Sequence, residues 1–156
     1  MFVGQFAHTL DAKNRLVLPA KFRAPFAGSG AKRGVYVSLK ATTHARFLSI
    51  QTADAWERDM ERIERAAESS EEGDSFRRKF SWDAEFAHLD PQFRLMLPER
   101  LKTAARLERD IVVCGVHRAI EVWDAEAWKR EDARLAAEAP IMQRAIYRPV
   151  GEGRGG

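Results

Sequence analysis

Only one cysteine, Cys114, occurs among 156 residues, so a disulfide framework is excluded. Its place inside the apolar run "IVVCGV" marks it as a small buried hydrophobe. Long apolar runs are missing as well: the longest are about four residues, far short of the roughly 20 a membrane-spanning helix needs. The N-terminus also lacks the apolar stretch of a secretory signal, and a cytoplasmic protein is expected. No glycine-rich phosphate loop, nucleophile elbow or Ser-His-Asp series is present. The histidines, His8, His44, His88 and His117, are scattered, and the pairing of Cys114 with His117 has no second pair to complete a metal site. Catalytic residues, cofactors, metals and a small-molecule substrate are therefore not expected.

What the chain does have is charge, unevenly placed. Apolar residues make up 45% and charged residues 31%, the balance of a folded domain, and the net charge is only +3. Residues 1 to 46, however, carry eight Lys or Arg against Asp11 alone, or +7; residues 47 to 74 carry nine acids against three Arg, or −6. The remainder adds +2. A local basic surface is an electrostatic footprint for a polyanion, and solvation alone is the competing explanation.

The chain also repeats itself. "LDAKNRLVLP" (10 to 19) returns 79 positions later as "LDPQFRLMLP" (89 to 98) with six of ten residues unchanged. "FLSIQTADAWE" (47 to 57) lines up with "AIEVWDAEAWK" (119 to 129), setting Trp56 over Trp128 at an offset of 72. The first copy therefore holds seven extra residues, which fall in the loop-like "GSGAKRG" and "KATTHAR". Two copies of one supersecondary unit account for the length, with expected halves at 1–74 and 75–150 and a flexible tail at 151–156.

Each copy reads alike. In "FVGQFAHTL" Phe2, Phe6 and Leu10 alternate against Val3 and Ala7, predicting a strand; a turn from Asp to Arg and a second strand, "RLVL" or "RLML", follow. Pro19 and Pro98 end those strands and open the short helices "PAKFRAPF" and "PERLKTAARL". Strand pairs are expected at 35 to 39 with 47 to 50 and at 111 to 114 with 119 to 122, the latter turning through "GVHR". Closing helices follow at about 54 to 70, with Asp54 and Glu57 as a capping pair, and at about 125 to 137; their tryptophans read as core anchors. Units of about 75 residues bury little surface alone, so the two should share one core.

The repeated turn has two readings. Structurally, the carboxylate caps turn amides or pairs with the guanidinium and stiffens the connection. Functionally, Asp11 fixes the turn so that Arg15, with Lys13 beside it, projects toward phosphates or a guanine edge, and Asp90 and Arg94 repeat the arrangement. Arg suits this role because its planar fork binds guanine O6 and N7 bidentately. "FRRKF" (76 to 80) reads as a solvated helix face, a phosphate contact or both.

The stretches "MFVGQFAHTLDAKNRLVLPAKFR", "SWDAEFAHLDPQFRLMLPERL" and "IVVCGVHRAIEVWDAEAWK" resemble, in order and spacing, the MraZ family of bacterial transcription regulators, from Met1 to Tyr147. The resemblance implies an α+β fold with a mainly β core: a duplicated β-α-β swapped-hairpin, double-psi-like barrel of two tandem AbrB-like halves with peripheral helices. It implies a sequence-specific regulator that binds short direct repeats in double-stranded DNA upstream of its own operon, the division and cell-wall cluster. It further implies a ring-shaped homo-oligomer that is cytoplasmic, nucleoid-associated and non-enzymatic. The family's DNA-contacting Asp and Arg fall on Asp11, Arg15, Asp90 and Arg94, to which Lys13 is added from its place in the turn. In the family the position before the Arg is often Gly; here it is Asn14 or Phe93, and Phe enters positive φ poorly. Unequal copies are therefore expected, with Arg15 dominant. Two other readings stand beside this one: an oligomeric protein-interaction module whose basic face is incidental, and an enzyme that processes itself at Gly28-Ser29.

Overall fold

The apolar alternation at the N-terminus forms strand β1 (Phe2–Thr9), and the turn after it leads into the short β2 (Arg15–Val17). The computed structural model describes residues 1–28, 34–68 and 70–148. Most of the "GSGAKRG" connector, Ser29 of the Gly28-Ser29 step and the tail 151–156 lie outside the described residues. After two 3-10 turns (Ala20–Phe22 and Ala24–Phe26) come β3 (Gly34–Ala41), β4 (Arg46–Thr52), α1 (Ala53–Ala67) and α2 (Glu71–Trp82). The series then repeats as β5 (Ala84–His88), β6 (Arg94–Met96), α3 (Glu99–Ala104), β7 (Asp110–His117), β8 (Ala119–Asp124) and α4 (Ala125–Ile146). The fold is α+β around a mainly antiparallel sheet core.

Six strands pair in the order β1-β7-β8-β4-β3-β5, and β2 pairs separately with β6. The expected hairpins β3–β4 and β7–β8 both form. Each first strand, however, leaves its own copy: β1 runs antiparallel to β7, and β5 to β3. The closed barrel expected from the resemblance is not found among the described strands, because β1 and β5 end the sheet without meeting each other.

One sheet face and the inner side of the β2–β6 ribbon enclose the core. Leu16 and Leu95, opposite each other in the ribbon, are wholly buried, as are Val37, Leu48, Ile50, Val113, Ile120 and Val122 from the sheet. Phe22 packs edge-on against Phe2 and Phe6 at centroid distances of 5.6 and 5.3 Å. The outer sheet face is covered by helices. Trp56 is sandwiched between Tyr36 and Phe80 at 4.9 and 4.7 Å, which makes it the anchor its position promised. Trp128 is only half-buried. It touches Cys114, which is also half-buried rather than in the core: burial pushes its thiol up to about 11, with Glu121 adding to the effect.

Several local expectations shift. The α1 cap is Thr52, whose hydroxyl accepts from the Ala55 N–H at 3.2 Å, while Asp54 sits in the first turn; a helix begins where its free N–H groups first find an acceptor, two positions ahead of the expected cap. "PAKFRAPF" makes 3-10 turns rather than an α-helix, since Pro25 cannot donate to a longer ladder. α4 passes through Pro140 and continues to Ile146, well beyond the expected end. "FRRKF" lies in α2, where Arg77 pairs with Glu64 and Asp74, and Lys79 with Asp83.

Candidate nucleic-acid interface

The two copies of the repeated phrase meet in the β2–β6 ribbon, which pairs Arg15 with Met96, Leu16 with Leu95 and Val17 with Arg94. Side chains alternate across a strand, so burying Leu16 and Leu95 turns Arg15, Val17, Arg94 and Met96 to the opposite face. Val17 and Met96 are exposed there. The two arginines stand diagonally across the ribbon, at Cα separations of roughly 7–8 Å for such pairs.

Each arginine is held by its own turn. Asp11 Oδ1 accepts from the backbone N–H groups of Lys13 and Arg15 at 2.8 and 2.9 Å, and Oδ2 accepts from Arg15 Nε at 2.6 Å. In the second copy Asp90 Oδ1 accepts from the Gln92 and Arg94 N–H groups at 2.8 and 2.9 Å, and Oδ2 from Arg94 Nε at 2.6 Å. The structural reading of the turn is met in both copies: the Asp caps turn amides and occupies the guanidinium Nε. Lys13 is exposed at the tip of the first turn.

Both turns also take the same backbone path. Asn14 and Phe93 adopt φ of 57° and 58°, so the reluctance of Phe to enter this region does not distort the second turn. Such a conformation costs a bulky residue about 1–2 kcal/mol. It is offset here by the Phe93 ring, which packs on the core beneath the Arg23 guanidinium at 5.4 Å. The carbonyls of Asn14 and Phe93 each accept from the other copy, from Leu97 N–H at 3.2 Å and Leu18 N–H at 3.0 Å. The copies differ in side chains instead. Arg94 Nη2 donates to Gln92 Oε1 at 3.3 Å, whereas among the described residues the Arg15 Nη groups have no partner.

These bonds fix the ionisation of the turn acids. The Asp11 carboxyl lies below its ordinary value of 3.8, chiefly through the Arg15 N–H bond, with the guanidinium and the Lys13 N–H adding to it. For Asp90, partial desolvation is the largest single influence and pushes upward, but the Arg94 N–H, its guanidinium and the Gln92 N–H together outweigh it. A depressed carboxyl contributes stability that is complete above its unfolded value and is lost as pH falls through the folded one. We therefore expect the gap in urea midpoint between the wild type and Asp11→Asn/Asp90→Asn to hold from pH 7 to 5. It should close as pH drops below 3.8. A gap that persists unchanged at pH 2 would detach the carboxylates' charge from the turns' stability.

The chain matches the family model described as "MraZ protein, putative antitoxin-like" over residues 1–77 and 80–147. It is 37% identical over 146 residues to the transcriptional regulator MraZ of Thermomicrobium roseum, covering 92% of this chain and 96% of that protein. Its identity to the Leuconostoc mesenteroides protein of that name is 34% over 137 residues, covering 87% and 90% of the two chains. The Desulfitobacterium hafniense protein is 30% identical over 151 residues, covering 94% of this chain and all of its own.

Proposed function

The chain belongs to the MraZ family, and from that premise we propose that it is a sequence-specific transcriptional regulator that binds double-stranded DNA with the outer face of the β2–β6 ribbon. The observation that carries this is the diagonal pair Arg15 and Arg94, each braced by its own Asp on the outer face of the ribbon. A two-stranded ribbon fits the major groove, and an arginine immobilised at Nε offers its Nη pair to guanine O6 and N7 without first losing rotamer freedom. Asp11 and Asp90 position the arginines, Lys13 supplies a phosphate contact, and Arg15, whose outer nitrogens are unengaged among the described residues, carries more of the readout than Arg94. Val17 and Met96, between the arginines, face the thymine methyl groups or sugars that an apolar contact would suit.

The same reading takes the halves, 1–74 and 75–150, as two AbrB-like swapped-hairpin units, and the protein as a non-enzymatic, nucleoid-associated cytoplasmic ring of identical subunits. The operator is a set of short direct repeats upstream of the protein's own operon, the division and cell-wall cluster. A ring suits repeated sites, since neighbouring subunits each hold one weak repeat and gain by effective concentration. None of the described helices is long and apolar enough to cross a membrane.

The test is a titration of the gene's upstream duplex against a scrambled duplex of equal length at two salt concentrations. Selective binding that weakens steeply with salt is the expected result, because each neutralised phosphate releases counterion. Binding indifferent to sequence, or none, would favour the protein-interaction module.

A further inference from the structure

Beside the first turn lies a cleft of about 310 Å³ whose walls include Asp11, Asn14, Lys102, Glu108 and Arg109. Lys102 comes from α3 and Arg109 from the start of the β7 approach, where its carbonyl accepts from the Leu10 N–H at 2.9 Å and so fixes it against the turn. Among the described residues neither the Lys102 ammonium nor the Arg109 guanidinium has a hydrogen bond or ion pair. Arg106, four residues beyond Lys102, is exposed and equally unpaired. Of the two acids in the cleft wall, Asp11 is already taken by Arg15, which leaves Glu108 against Lys102 and Arg109.

Internal duplication provides a control within the molecule. At the offset of 79 the counterpart of Lys102 is Arg23, which should stand beside the second turn in the same way. It does, but it is held differently: Arg23 Nε donates to the Leu18 carbonyl at 2.9 Å, and its guanidinium lies over the Phe93 ring. Where the first turn shows polar Asn14 and an unpaired lysine, the second shows an aromatic ring capped by a bound arginine. A solvated basic face would not be expected to differ so sharply between two backbones of the same geometry.

Building on the DNA-binding reading above, we infer that Lys102 and Arg109 form a phosphate-binding flank to the first turn, seating the DNA backbone next to the bases that Arg15 reads. Among the described residues the second turn has no lysine equivalent to Lys102, its place being taken by Arg23. Phosphate contacts fix register without reading sequence, so these two residues raise affinity for every duplex equally.

The experiment compares the full-length protein with Lys102→Gln/Arg109→Gln, and with Arg23→Gln as the matched second-turn variant. Each is titrated with the upstream and scrambled duplexes over a range of salt. The double variant should lower the slope of log affinity against log salt by about 1.8, from about 0.9 per phosphate contact. It should weaken both duplexes by the same factor, leaving their ratio intact, and Arg23→Gln should leave the slope unchanged. An unchanged slope in the double variant, or a loss confined to the upstream duplex, would overturn the flank while leaving the regulator reading in place. A wild type that binds neither duplex would remove both.

Discussion

Arg15→Ala is expected to reduce affinity for the upstream duplex roughly 10- to 100-fold, the range of one well-made bidentate base contact of about 1–3 kcal/mol. Binding to scrambled DNA should change far less, so the two affinities converge. Arg94→Ala should cost several-fold less, since Gln92 already competes for its outer nitrogen. Because both side chains point away from the buried Leu16 and Leu95, neither replacement opens the core, and thermal unfolding of the variants checks that directly. The decisive quantity is the ratio of upstream to scrambled affinity for each variant. Equal losses for the two arginines would show that the ribbon reads symmetrically and that the side-chain differences between the turns do not reach the DNA.

The second large effect concerns the fold. Gly115 on β7 lies opposite Gly4 on β1, which adopts φ of 95°, a conformation closed to most other residues. That bend presses β1 onto β7 so tightly that a methyl group on Gly115 would overlap Val3 N and come within 2.6 Å of Phe2 C and 2.8 Å of Val3 Cα. The obstacle is backbone, so no rotamer change relieves it. Gly115→Ala should force β1 away from β7 and loosen Phe2 from Phe22, destabilising the protein by about 3 kcal/mol or more, beyond ordinary overpacking of 1–3 kcal/mol. Denaturant titration would measure this, and amide exchange at Phe6 and Val113 would locate it. A variant of wild-type stability would mean that β1 can slide off Gly115 without losing its core contacts.

Much of this architecture could be read before any coordinates. The alternation in β1, the hairpins β3–β4 and β7–β8, and the tryptophan-bearing helices all follow from local periodicity, and the repeated Asp and Arg marked the turns. The partner of β1 could not be read in this way. Its outward residues suit either copy's hairpin, and only the assembled core selects β7 over β3. The same limit applies to the interface. Arg15 and Arg94 stand out as repeated residues, whereas Lys102 and Arg109 lie in an ordinary helix and its following loop, and only the fold brings them to Asn14. The duplication did carry a usable signal, since the 79-residue offset sets Lys102 over Arg23. Phe93 was misleading for a physical reason: its backbone preference is real, but burial of its ring and the Leu18 contact outweigh it.

The exchange of first strands between copies has a consequence for the chain as it is made. Phe2 pairs with His117 and Thr9 with Asp110, so β1 leaves the ribosome on the order of a hundred residues before its partner. At about 5–20 residues per second that is a wait of roughly 5–20 s. During this interval a strand bearing Phe2 and Phe6, and a β3 edge still lacking β5, are both open to pairing with whatever lies nearby. Neighbouring nascent chains on one message present the missing strands in the same state of incompleteness. Exchange of β1 between two such chains would satisfy every hydrogen bond of the finished fold, which makes polysome crowding a condition under which this topology can be entangled as well as completed.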